Sequence, residues 1–230
     1  MRQEQKALNR FEAEGASLVQ KPSLGLRERN KLDKLQRIKA AAAALFTSKG
    51  FNATTTLEIA ERAGVGEGTV FLYTQDKRDL LFQICMDDLD QTRIRGFAKV
   101  RANIPLLEQL LVPETVMYRQ LAKNIRLERI FFEELTFCSG SQAERLRESR
   151  TRNIDRIGQL ILAAEQGGTI RCDEDPMMVA RDFFFSSQSA MRWWISGPTP
   201  KVAEGIEDLR RIYTLHLRAL NPTPAAFSKV

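Results

Sequence analysis

Histidine is almost missing from this chain: His216 is the only one among 230 residues. Imidazole is the commonest general base and a common metal ligand, so a histidine-based triad or metal site has one candidate. It falls late in the final predicted helix, where a packed imidazole accounts for it. Cysteine is scarce as well. Cys85, Cys138 and Cys172 are widely separated and odd in number, which argues against a disulfide framework and against zinc spacing. Reduced thiols in a cytoplasmic protein are the expectation, with a redox-sensing thiol as the alternative. No serine or cysteine lies in a nucleophile motif. The glycine-rich run Gly64-Val65-Gly66-Glu67-Gly68 joins helix to helix, not strand to helix, so it is not a dinucleotide loop. No apolar run reaches the length of a membrane span, and the opening MRQEQKALNR lacks a hydrophobic leader core. Convincing strand alternation and internal repeats are both lacking. These absences point to an all-α, soluble, cytoplasmic protein that is not an enzyme and needs no cofactor or metal.

What is present begins with charge. Thirty-five Lys and Arg stand against 29 Asp and Glu, a formal net charge of +6, which favours a polyanionic partner. The excess is local: Lys21, Arg27, Arg29, Lys31, Lys34, Arg37, Lys39 and Lys49 face only Glu28 and Asp33 in that stretch. Residues 1–28, polar and containing Gly15, Pro22, Ser23 and Gly25, read as a disordered extension. Two other readings stay open there: a short docking helix through Leu8, Phe11 and Leu18, or a basic arm of Arg27, Arg29 and Lys31 reaching for DNA.

The helical periodicity is then continuous. Leu35, Ile38, Ala42, Leu45 and Phe46 repeat at helical spacing, and Ala40–Ala44 add propensity, predicting a helix over 31–49. Thr55 with Glu58 is a capping box that starts a second helix near Thr56, with Ile59, Ala60 and Ala63 on its inner stripe. Gly64 ends it, and Gly66 opens a third helix carrying Thr69, Val70, Phe71 and Tyr73. This is the layout of a helix-turn-helix, with Leu35, Ile38, Leu45, Phe46, Phe51, Ile59, Val65 and Val70 as its core. A long helix over 76–95 follows. Further helices are predicted over 114–124, 127–137, 141–167, 175–195 and 201–220, about nine in all, with Pro222 and Pro224 stopping the last.

The residues Gly50-Phe51, Thr55, Ile59-Ala60, Ala63-Gly64-Val65, Gly68-Thr69-Val70, Tyr73, Lys77 and Leu80-Leu81 resemble the DNA-binding domain of the tetracycline repressor (TetR) family, over 35–82. Four positions depart from its usual pattern: Thr56, Gly66, Phe71 and Thr74 stand where an apolar residue, serine, tyrosine and phenylalanine are common. The resemblance implies an N-terminal three-helix DNA-binding domain, 29–80, and a larger helical effector-binding and dimerisation domain, 81–230. Thr55, Thr56, Tyr73 and Lys77 match positions that hold phosphate, although Thr55 is a cap in any case and Tyr73 suits the core. Leu57, Glu67, Gly68, Thr69 and Phe71 match base-facing positions, with Leu72 beside them. Of these only Glu67 can read a base through a charged hydrogen bond, accepting from cytosine N4, while Phe71 or Leu57 suits a thymine methyl.

The resemblance also implies a homodimer on palindromic operator half-sites, formed by the last two helices through Met191, Trp194, Leu209, Ile212, Tyr213 and Leu217. Met117, Phe131, Phe132, Phe137, Phe183, Phe184 and Trp193 supply either an effector cavity for a small apolar or aromatic molecule or an ordinary core. Arg126 or Glu134 is a candidate polar anchor. The function so implied is a ligand-responsive repressor. The alternative is a DNA-binding protein of the same fold controlled by a protein partner, without a small-molecule effector; a filled core would favour it.

Overall fold

The structure is a computed structural model that describes residues 25–135, 138–171 and 173–227. Phe137, Cys172 and most of the N-terminal extension lie outside the described residues. The fold is all-helical, and no strand occurs among the described residues. Helices run in the order α1 (Leu26–Ser48), α2 (Thr56–Ala63), α3 (Glu67–Val70), α4 (Lys77–Phe97), α5 (Leu106–Leu121), α6 (Ile125–Glu134), α7 (Gly140–Gln166), α8 (Pro176–Ser196) and α9 (Val202–Arg218), with 3₁₀ turns at Ala122–Asn124 and Pro224–Ala226. None of the described helices is long and apolar enough to cross a membrane. Two compact units divide after Leu80.

In the first unit, Ile38, Ala42 and Phe46 of α1 bury against Ile59, Ala60 and Ala63 of α2, with Val70 of α3 fully enclosed. Phe46 meets Phe51 edge to face at 5.1 Å between ring centroids. Leu35, Leu45 and Val65, expected in this core, are only half-buried. Helix α1 also starts earlier than periodicity predicts: residues 26–28, assigned to the extension, are helical. Their side chains are all exposed, so no apolar stripe marked the start.

The second unit is built on α5, α8 and α9, which share a core of Leu107, Leu110, Phe183, Ile195, Leu209 and Leu217. Helix α7 packs on α8. The helix predicted over 114–124 starts earlier, at Leu106, so that Pro113 lies inside α5. A proline there cannot donate to the carbonyl four residues back. The ring is buried, and α4 presents Gly96 to it: a Cβ at Gly96 would lie 2.8 Å from Pro113 Cα. The missing side chain lets α4 and α5 cross where the helix ladder is already weakened.

Candidate nucleic-acid interface and interior cavity

The turn between α2 and α3 is fixed from both ends. Thr55 Oγ accepts from the Glu58 amide (3.2 Å) while Glu58 Oε2 accepts from the Thr55 amide (3.0 Å), the reciprocal box expected from the sequence. Lys49 pairs with Glu58, and that hydrogen bond is the main cause holding the Glu58 carboxyl below its usual pKa. Gly64 takes the left-handed conformation, φ 64° and ψ 42°, which glycine adopts without Cβ strain. Arg37 of α1 donates to Ala63 O at 3.1 Å, capping the same end of α2. Helix α3 is a single turn; Phe71, Leu72 and Tyr73 continue as turn residues, with Tyr73 N donating to Val70 O at 3.0 Å.

The predicted DNA-facing residues separate into two groups. Leu57, Phe71 and Leu72 are exposed by 50%, 51% and 80%, a high value for large apolar side chains. Glu67 and Gly68 are exposed beside them, and a Cβ at Gly68 would meet nothing within 4 Å. Thr56, Thr69 and Tyr73 are half-buried. Thr56 Oγ donates to Glu67 Oε1 at 2.8 Å, so α2 holds the one acidic side chain that α3 presents. Sequence reasoning missed this pair because its members are eleven residues apart.

Lys77 differs from expectation. Its ammonium donates to Phe51 O (2.8 Å), Asn52 O (3.1 Å) and Thr54 O (3.1 Å), and lies 4.7 Å from the Phe51 ring centroid. All three of its N–H groups therefore have acceptors within the protein. Lys77 fastens the loop leading into α2, and a phosphate role would require breaking these bonds.

The second unit holds a half-open cavity of ≈ 270 Å³ bordered by α4, α5, α6, α7 and α8. Of the six described apolar residues predicted to line it, Met117, Phe132 and Phe184 do so. Phe131 is buried between Phe82 and Phe132, and Phe183 meets Tyr213 edge to face at 5.0 Å between ring centroids. Trp193 is 79% exposed and faces away; Glu134 and Arg126 are not in the wall. The wall also holds polar residues that the sequence reading did not single out: Arg93, Ser149, Arg150, Asn153, Gln188 and Arg192. Three arginines and no carboxylate border the space. Arg93 is paired with buried Glu114 at 2.6 Å, and Arg192 donates to Phe132 O at 3.1 Å.

In the same unit Glu128 is buried. Burial, with the neighbouring Asp88 charge adding to it, lifts its pKa to about 8.

A sequence profile described as "Bacterial regulatory proteins, tetR family" matches residues 38–84, the helix-turn-helix with its flanks. This chain belongs to that family. The TetR-family regulator is 20% identical over 167 residues to the fatty acid metabolism regulator protein of Bacillus subtilis, covering 73% of this chain and 86% of that one. Its fold is similar to the crystal structure of the transcriptional regulator FadR from B. subtilis in complex with stearoyl-CoA (TM-score 0.65, 19% identity, 79% and 97% coverage). It is also similar to AibR in complex with isovaleryl coenzyme A and operator DNA (TM-score 0.57, 19% identity, 78% and 97% coverage). The chain is thus a transcriptional regulator, not an enzyme.

Five of the six residues expected at a dimer interface point inward in this regulator. Met191, Trp194, Leu209, Tyr213 and Leu217 are buried within the chain, and only Ile212 is partly exposed. They pair α8 with α9 and α5; Trp194, for example, lies 4.7 Å from the Tyr118 ring and donates to Lys201 O at 2.9 Å. The outer face of the two helices instead shows Met178, Phe185, Trp193 and Leu215. On α8 three of these repeat at 178, 185 and 193, one side of a helix, and Phe185 also borders the cavity. His216, beside them, contacts Asp182 and the Phe183 ring.

Proposed function

We propose that this regulator is a cytoplasmic homodimeric repressor whose operator affinity falls when an acyl thioester of coenzyme A enters the cavity of the second unit. The observation that carries the reading is the cavity wall. Met86, Leu89, Met117, Phe184 and Met191 suit an acyl group, and Arg150 and Arg192, with no carboxylate among the lining residues, suit the phosphates of its carrier. Two relatives with this fold were crystallised with acyl-coenzyme A ligands, which supports the same class here. The purely apolar or aromatic effector suggested by composition suits this polar wall less well. Control by a protein partner, the alternative, is the reading that a filled core would have supported.

At the DNA, each head inserts α3 into the major groove and repeats the contact two-fold through the partner copy. Leu57 and Phe71 meet thymine methyls, and Glu67 accepts from a cytosine amine. Open space at Gly68 admits the close approach. Arg27, Arg29, Lys31 and Lys34, exposed along the first turns of α1, add attraction for phosphate. Met178, Phe185, Trp193 and Leu215 form the surface between copies. Helix α4 starts in the first unit and supplies Met86, Leu89 and Arg93 to the cavity wall, so it is the element through which ligand and DNA influence each other.

By linkage, the ligand weakens DNA binding by the factor that DNA weakens ligand binding. Octanoyl-coenzyme A titrated against a duplex selected from a random pool tests this. Operator affinity should fall by about 5–150-fold at saturation; tight ligand binding with unchanged operator affinity refutes the mechanism.

A further inference from the structure

We infer that Asn153 and Gln188 form a polar clamp inside the cavity for a ligand group that both donates and accepts a hydrogen bond, a hydroxyl or a secondary amide. The inference rests on the acyl-thioester reading above and assigns what that ligand must carry beside its acyl chain.

Asn153 belongs to α7 and is 5% exposed. Its Nδ2 donates to Ser149 O at 2.8 Å. That bond fixes the orientation of the amide, because a flipped carboxamide would set oxygen against oxygen. The Oδ1 atom is thereby left as an acceptor, and no described residue donates to it. Gln188 comes from α8. Its Nε2 is buried, and no described residue accepts from it. Both side chains line the same cavity, and since neither atom has a partner they are not bonded to each other. Buried donors and acceptors without partners are rare and cost stability. The apolar neighbours Met86, Leu89, Met117 and Phe184 cannot supply one.

The chemistry of the two atoms narrows what fits. A bare carbonyl satisfies Gln188 and leaves Asn153 without a donor. A carboxylate is repelled by Asn153 Oδ1, and an ammonium is disfavoured by Arg93, Arg150 and Arg192 around the wall. A hydroxyl or a secondary amide satisfies both at once. In an acyl thioester of coenzyme A the hydroxyl would sit on the acyl chain and the amide in the carrier arm. Sites built to hydrogen-bond a ligand group discriminate strongly against the analogue that lacks it.

Octanoyl-coenzyme A and 3-hydroxyoctanoyl-coenzyme A separate the two sources, with binding measured calorimetrically to wild type, Asn153→Leu and Gln188→Met. Gln188 is only partly buried, so its variant serves if Asn153→Leu fails to fold; thermal melting and operator binding confirm folding. A loss of about 10-fold confined to the hydroxylated probe identifies the acyl hydroxyl as the clamped group. An equal loss for both probes identifies the carrier amide. Folded variants that bind both probes as wild type does overturn the clamp and leave the acyl-thioester reading intact. If neither probe binds wild type, the effector reading falls and the clamp with it.

Discussion

The two units treat polar and apolar groups in opposite ways. In the first unit the polar groups around the turn are engaged: Lys77 with three carbonyls, Thr55 with Glu58, Thr56 with Glu67. Its exposed face is apolar at Leu57, Phe71 and Leu72. In the second unit the buried interior holds polar atoms without partners among the described residues: Glu114 Oε2, Tyr118 OH, Glu128 Oε2, Asn153 Oδ1 and Gln188 Nε2. Every such atom lies beyond residue 80. A saturated turn is rigid and presents one surface, which suits reading a fixed duplex. An interior with unmet hydrogen-bonding capacity is less settled, and a ligand that meets it changes the balance between conformations.

The largest expected effect tests whether the apolar surface of α8 pairs copies. Trp193→Glu places a charge on the outer face while leaving the core of α8 untouched. The variant should sediment as a monomer and bind operator about 10²–10³-fold more weakly, while ligand affinity stays near wild type. A variant that remains dimeric would move the interface elsewhere.

Next in size is the buried carboxyl of the second unit. Glu128 keeps its proton in the folded chain up to about pH 8, whereas the unfolded chain releases it near the ordinary carboxylate pKa. Between those values the folded state binds the extra proton, so its stability falls as pH rises and levels off above about 8. Glu128→Gln carries no such dependence. Urea unfolding should find the variant more stable than wild type by on the order of 3 kcal/mol at pH 8, with the gap closing toward pH 4.5. An equal gap at both pH values would mean that the carboxyl is ionised in the native protein.

Lys77→Met is the smallest and separates two roles in the first unit. Removing a cation that satisfies three carbonyls should lower stability by about 1–3 kcal/mol, leaving the salt dependence of DNA binding unchanged. A phosphate contact would instead reduce the slope of log affinity against log salt by about one.

These contrasts also decide what could be read from the chain alone. The Thr55–Glu58 box and the Gly64 turn were legible because their causes lie within four residues. The aromatic supply of the second unit was visible, but not its direction: Phe183, Phe184 and Trp193 sit on one helix and face the core, the cavity and the outside. A helix that buries most of its circumference carries apolar residues on nearly every side, so periodicity loses its meaning. Asn153, Arg150 and Ser149 failed to stand out for the opposite reason. Polar residues at helical spacing look like a solvated face whether they meet water or a cavity. Lys77 needed the third dimension, since its acceptors lie more than twenty residues upstream.

With Glu67 reading a base as proposed, the bond from Thr56 makes that preference a shared trait of two positions. A descendant that exchanged Glu67 alone would release the threonine hydroxyl to solvent, and one that lost Thr56 alone would let the carboxylate swing. Operator drift in this lineage is therefore expected to proceed by paired replacement, with the two sites varying together across descendants.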